Sequence, residues 1–410
     1  MKKIPRTVFW VLGALLALAL LRDVLANGRP LYCRIGGVAH YPGLRALWAS
    51  PERPFEQPAL RSIQLQENQF EAWKNPANYD APPLYAPIPF SPGEYSLRNP
   101  EEFKPPGHVQ GGLGPRFRHW LGTDDRGRDV AAGLVAGARN ALLVGTLSSV
   151  LAGLLGLGLG ALAGFWGDGR LQATRGALLG AGLAALPGLY WAFGLRYPAL
   201  SMARGMGPLL GSLSALLATV LLGALVGGIL ARRSSFFGKK VPMPADFLVM
   251  RAVEVFNATP KMIFILVLAA MLPGGAGFWV VVLLIGLFAW PDVAVLLRAE
   301  LLRARELDYI VAAEGMGLSR ARILWRHALP NALRPVLVVL AFVFAGAILM
   351  ESALSFLHIG DGAQRGSTWG SLLEAVRARP GAWWVVLPPG LCIAAVVLAL
   401  YQLGEQLGGK

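Results

Sequence analysis

The densest grouping of chemically capable side chains is His119 with Asp124, Asp125 and Asp129. An imidazole and carboxylates at short spacing are the donor set of a metal site or an acid–base pair. Here Arg126 and Arg128 interleave with the acids in a glycine-rich stretch. The residues can therefore neutralise one another, and Asp124, Asp125, Arg128 and Asp129 are expected to form turns and ion pairs at an external mouth, without metal. Glu351 stands beside Ser352 and near Ser355 at the end of an apolar run. An acid there needs water or a partner, which leaves a pathway-lining or gating role open beside that of a loop carboxylate just past the membrane edge. Asp292 follows Pro291 in another apolar run, with pathway and structural readings equally open. A phosphate-binding loop needs Gly-x4-Gly-Lys followed by Ser or Thr. Gly238-Lys239-Lys240 lacks both the upstream glycine and the hydroxyl, so ATP hydrolysis is not expected in this chain. No serine, histidine and acid share a catalytic spacing. Cys33 lies in a polar region and Cys392 in an apolar run, which argues against a disulfide between them.

The elements that hold these residues are set by hydropathy. The 410 residues are 55% hydrophobic and only 15% charged, with mean hydropathy +0.50, too apolar for an ordinary soluble domain. Fifty glycines suit close approach of membrane helices, and the patterns Gly156–Gly160 and Gly160–Gly164 imply such packing. The net charge of +14 is spread in short clusters between apolar runs, so nucleic-acid binding is not expected. At roughly 20 apolar residues per span, about eight runs qualify: 8–26, 140–166, 174–195, 208–231, 256–273, 278–297, 332–354 and 383–404. The first reads as an uncleaved anchor rather than a signal peptide, since no A-x-A site precedes a mature start. Lys2, Lys3 and Arg6 place the N-terminus inside, and Arg170, Arg232, Arg233, Lys239, Lys240, Arg298 and Arg303 fall on the same side. Arg196 and Arg204 run against that bias, while turn 273–277 carries no charge. Both termini are then cytoplasmic. Residues 27–118 hold about half of the 29 prolines. Trp48, Trp73, Tyr79, Tyr85, Phe90 and Tyr95 are interleaved with them, which predicts an ordered but irregular external cap.

Between two apolar runs lies the polar segment Arg303–Arg334, which cannot lie in lipid. It mixes Ile310, Ala313, Gly317, Ile323 and Leu324 with charges. Gly317 permits a bend or close approach, and Pro330 is expected to open the next span at a helix N-terminus. Periodicity alone leaves two readings open: insertion into a groove on another protein, or an amphipathic helix on the lipid surface.

The spacing Ala312-Ala313-x3-Gly317-x9-His327-x-Leu329-Pro330 resembles the EAA loop of ABC-importer permease subunits, which couples to the ATPase. Val311 replaces the motif's glutamate. His119–Val130 followed by Gly137-Ala138-Arg139, Gly286–Pro291, Glu351–Leu357 and Ser367–Gly370 are similar to stretches of the dipeptide/oligopeptide, binding-protein-dependent family, with Asp292 where glycine is usual. Ala26–Pro30 and Ala86–Ser91 look like microcin C-type oligopeptide permease subunits.

The resemblance implies an all-α polytopic membrane protein: a six-helix type I importer core, an inserted helix pair and a Pro-rich irregular external cap. The expected divisions are an anchor helix at 1–26, the cap at 27–118, a pre-span segment and span at 119–166, the inserted pair at 167–245 and the permease core at 246–410, with the coupling loop at 303–330. Tyr309, Ala312, Ala313, Gly317, Leu318, His327, Leu329 and Pro330 are the expected ATPase-coupling residues, with Ala312, Ala313 and Gly317 as the contact core. The implied partners are ABC ATPase subunits, a second homologous permease, an extracytoplasmic solute-binding protein and membrane lipid. ATP and Mg would bind at the ATPase, and no cofactor on this chain. The competing classes are a secondary transporter and a membrane scaffold, neither with an ATPase.

Overall fold

The computed structural model describes residues 5–45, 49, 53–98, 100–169, 172–198, 207–233, 235–271, 277–359 and 367–408. Lys2, Lys3, Trp48, Arg170, Arg204 and most of turn 273–277 lie outside them. The chain divides into two compact units, one of residues 147–343 and 404–410, the other of residues 2–146 and 344–403. Among the described residues, six helices are long and apolar enough to cross a membrane, or seven if one bent pair counts as a span.

In the first unit, the lower part of α2 (Val130–Ala161) packs on α7 (Phe278–Ala304) through glycines. A Cβ on Gly156 would lie 2.5 Å from the Val293 side chain, and one on Gly160 or Gly164 would lie 2.8 Å from the carbonyl oxygen of Ala294 or Arg298. The spaced glycines thus bring the two backbones together. The inserted pair is α3 (Arg175–Leu189) and α4 (Gly207–Ala231). Thr174 caps α3, its Oγ1 accepting from the Ala177 amide at 3.2 Å. Gly176 and Gly180 face Gly227 and Gly223 closely enough that a Cβ on Gly180 would sit 2.1 Å from the Gly223 carbonyl oxygen. The opposite faces present Leu183, Leu186, Leu217, Leu221 and Leu225 outward. Entry to and exit from the pair are stitched together by strands β5 (Gln172–Thr174) and β6 (Lys240–Pro242), antiparallel with Thr174 opposite Lys240.

The run 256–273 is not one straight helix. Helix α5 (Ala245–Ala258) stops and α6 (Lys261–Ala270) leaves at 79°. Pro260 has no amide to donate and forces Thr259 into extended backbone, φ −93° and ψ 128°. Hydropathy is blind to that lost donor.

In the second unit, the first apolar run forms α1 (Arg6–Leu20) and a separate turn, Arg22–Leu25. Its 15 residues rise about 22 Å, less than the 30 Å or so of a hydrocarbon core. The cap contains a hairpin of β1 (Cys33–Ile35) and β2 (Val38–His40), short helices Pro58–Gln64 and Gln69–Ala72, and a ladder of β3 (His108–Val109) with β4 (Arg118–His119). A boundary at 118/119 therefore cuts a strand. Prolines keep these elements short, and two buried aromatic clusters order them, one around Phe55, Trp73 and Tyr79 and the other around Phe70, Phe90 and Phe117. The upper part of α2 and α9 (Leu329–Phe356) meet α11 (Trp383–Gly408) over Ala138, Ala345, Ile348 and Val396. Helix α10 (Trp369–Glu374) begins on a Thr368/Ser371 capping box.

Candidate functional site

Helix α7 ends at Ala304, and after a tight turn α8 (Asp308–Gly315) begins with an acid in its first turn, complementary to the helix dipole. The end of α8 is a Schellman motif. The Gly317 amide donates to the Glu314 carbonyl at 3.0 Å and the Leu318 amide to the Ala313 carbonyl at 3.3 Å. Gly317 adopts φ +77°, a left-handed conformation that glycine enters without penalty. Leu318 then folds back on the cluster that contains Ala313.

One face of this segment is seated in its unit. Ile310, Ala313, Ile323, Leu324, Ala328 and Leu329 are buried with Phe165, Leu297 and Leu301. The other face is bare: Tyr309, Val311, Met316 and Trp325 are exposed, as are Ala312 and Gly317, while Leu318 and His327 are half-buried. The expected contact core thus needs one correction. Ala313 is 4% exposed because it lies one helical turn beyond Ile310 on the seated side. The apolar surface available to a partner is Tyr309, Val311, Ala312, Met316 and Trp325, of which the sequence reading missed Met316 and Trp325. The helical spacing of Tyr309, Ala312 and Met316 was a signal for the first, whereas Trp325 had none before the chain's turn at Gly317. The Asn331 amide donates to the Tyr309 hydroxyl at 3.2 Å and the His327 carbonyl at 3.1 Å, tying α8 to the next span.

Pro330 does not open that span. Helix runs from Arg320 through Phe356, with a π turn at Leu324–Ala328 in which the Leu329 amide donates to the Leu324 carbonyl. Widening the turn lets the chain pass a proline that cannot donate and whose ring would crowd the preceding turn.

Asp292 lies on α7, where its Oδ2 accepts from Lys261 Nζ at 2.9 Å. Both side chains are partly exposed. In the second unit, Glu351 and Ser352 are each 6% exposed and lie within α9, so Glu351 is not a loop carboxylate. Ser355 Oγ donates to Glu351 Oε1 at 2.7 Å. Gly370 of α10 presses so closely on Ser352 that a Cβ there would stand 2.2 Å from the Ser352 carbonyl oxygen. Asp124 accepts from the Arg126 and Arg128 amides at 2.9 Å each and from Arg128 Nε at 2.6 Å. Burial raises its pKa despite the pull of Arg128. Asp125 lies 3.6 Å from Arg128 Nη2. Asp129 caps α2 through the Ala132 amide and pairs with His119 Nδ1 at 2.7 Å. These acids are engaged within the fold, and among the described residues no group of three or more His, Cys, Asp or Glu is placed to hold a metal.

Residues 220–407 match the family described as the binding-protein-dependent transport system inner membrane component. The matched stretch includes α8, Gly317 and the π turn. Those residues form a domain of this permease family. The chain is a multi-pass inner-membrane protein, and permeases of this family work with an ATPase and a substrate-binding protein. A Brucella suis protein named as a peptide permease is 29% identical over 299 residues, 72% of each chain. A Brucella suis protein named as a peptide transport system permease is 36% identical over 192 residues, 47% of this permease and 62% of the relative. The inner membrane ABC transporter permease protein YejE of Escherichia coli is 25% identical over 400 residues, 97% of this permease and 90% of the relative. That alignment is long enough to include the cap.

Proposed function

We propose that this permease is one transmembrane subunit of an ATP-driven ABC importer carrying peptides or peptide-like compounds across the cytoplasmic membrane. The observation that carries the coupling part is the half-seated helix α8. One face is locked into its own unit and an apolar face is left bare on a charged connection between two spans. A lipid-surface helix would need its apolar face continuous and flanked by cations. Here the bare face instead carries Asp308 and Glu314 beside Tyr309, Val311 and Met316, which suits a groove on a protein. The ATPase binds ATP and Mg and closes on the segment 308–330. The seated face passes that displacement to α7 and α9 as a rigid-body movement, and access to a central path alternates. A second homologous permease supplies the other half of the path, and the cap meets the solute-binding protein. The peptide assignment is supported by the names of the Brucella relatives. The microcin C-type placement rests on Ala26–Pro30 and Ala86–Ser91 alone. The positive-inside rule supports cytoplasmic termini and a cytoplasmic α8. A secondary transporter or a scaffold would need no ATPase at this surface.

The test is Gly317→Arg, made with the candidate ATPase co-expressed. A Cβ at 317 meets nothing within 4 Å, and the strain of an L side chain at φ +77° is confined to the end of α8, so membrane insertion should persist while ATPase co-purification and transport are lost. Continued co-purification with continued transport would defeat the coupling assignment.

A further inference from the structure

The cap carries an open cavity of about 430 Å³ lined by Arg29, Asn68, Phe70, Trp73, Glu94 and Tyr95. We propose that it is a binding site for a small carboxylate carried on an apolar or aromatic stem, about the size of the carboxyl-terminal residue of a peptide. The inference stands apart from the coupling reading, because the cavity lies wholly within the second unit and involves none of residues 303–330.

Three features select an acceptor-bearing anion. Trp73 is 2% exposed, and its indole N–H, a donor with no acceptor alternative, has no hydrogen-bond partner among the described residues. The Nδ2 of Asn68, on the same wall, is likewise buried without a partner. Native folds rarely leave buried donors unmatched, and a ligand acceptor admitted by a small shift of either side chain would satisfy it. The third feature is the balance of charge. Lys74 is buried and its Nζ donates to Glu94 Oε1 at 2.7 Å, while Glu94 Oε2 accepts from the Ser91 amide at 3.0 Å. The acid in the wall is thus already engaged, and Glu67 stands exposed at the rim. Arg29 is the cation left facing the space. Its guanidinium lies 5.5 Å from the Phe55 ring and 5.6 Å from the Trp73 ring. Burial lowers its pKa against the opposing pull of Glu94. A guanidinium fork is shaped for a carboxylate, and the phenyl, indole and phenol walls accept an apolar stem. The backbone beneath is rigid: the Trp73 carbonyl accepts from both Tyr79 and Tyr85 hydroxyls at 2.7 Å.

The test is calorimetric titration of the full-length chain in lipid nanodiscs with N-acetyl-L-phenylalanine and with its carboxamide. The acid should bind saturably with Kd at or below about 1 mM, and the carboxamide at least about tenfold more weakly, since the charge-assisted contact to Arg29 is gone. Trp73→Phe keeps an aromatic ring, though a smaller one, and deletes the donor, so it should weaken the acid about threefold to tenfold and leave the weak carboxamide affinity little changed. Arg29→Gln should erase the difference between acid and carboxamide, with melting temperature monitored in both variants. The proposal fails if acid and carboxamide bind alike, if neither binds, or if Trp73→Phe binds the acid as the native chain does. It also fails if the variants leave acid binding intact and weaken only capture of the solute-binding protein.

Discussion

Val311 and Ala313 lie two residues apart on α8, yet they are 56% and 4% exposed. The same substitution should therefore act through different physics at each. Covering the exposed part of Val311 under an ATPase is worth about 1 kcal/mol. Val311→Asp forfeits that and adds the penalty of burying an unpaired carboxylate, several kcal/mol before relaxation. A net loss of about 2–4 kcal/mol weakens the complex roughly 30- to 1,000-fold. Val311→Thr, with similar shape and one hydroxyl, should cost about 1 kcal/mol, less than tenfold. Neither change should alter the melting temperature of the isolated chain, because residue 311 touches little of it. Ala313→Asp should instead lower that melting temperature, since it places a charge in the cluster of Ile310, Ile323 and Leu324. The assay is ATPase binding to nanodisc-embedded permease by interferometry, with melting followed in parallel. The reasoning is refuted if Val311→Asp binds with native affinity, or if it loses binding only in step with a fall in melting temperature.

Three further outcomes follow from the geometry. Gly180→Leu should force α3 and α4 apart, costing about 1–3 kcal/mol or more, whereas Gly182→Leu, with nothing within 4 Å of its Cβ, should be silent; thermal unfolding of the two in detergent compares them directly. Burial moves the Cys33 thiol from its ordinary 9.0 up to about 11. Its contribution to stability is therefore complete below pH 9 and declines as pH rises through 11, and maleimide should label it far more slowly at pH 8 in the native chain than after unfolding. Asp124→Ala should cost about 3–5 kcal/mol, because Arg128 loses its nearest charged partner while staying buried; denaturant titration of the chain reads this, and an unchanged midpoint would contradict it.

Much of the membrane architecture is written in single-residue chemistry. Apolar runs locate the long helices because lipid admits little else, and Gly317 marks the end of α8 because only glycine enters that left-handed turn freely. The failures share a cause: they depend on backbone donors or on segments distant in the chain. Pro260 sits in a run whose hydropathy is unbroken, yet the missing amide bends it. Pro330 follows the rule for a helix start, but the π turn before it carries the helix through. Glu351 reads as an edge residue until Thr368–Glu374 folds over it. The bare face of α8 was half legible: Val311 and Tyr309 stood out beside the motif, but Trp325 joins them only once Gly317 turns the chain. The wall that Arg29 shares with Trp73 joins residues far apart in a segment whose prolines suppress any periodic pattern.

The ladder between β5 and β6 has an evolutionary and practical consequence. Thr174 and Lys240 are directly opposed across it, so their Cα atoms stand about 5 Å apart, little more than the 3.8 Å of a single peptide link. The whole hairpin of α3 and α4 hangs from one stitch. Excision between those residues would leave two ends that a single glycine could rejoin, and an even number of crossings is removed, so every remaining helix keeps its direction. The site is thus a natural graft point, where a lineage can gain or shed a helical hairpin without rewriting the rest of the chain.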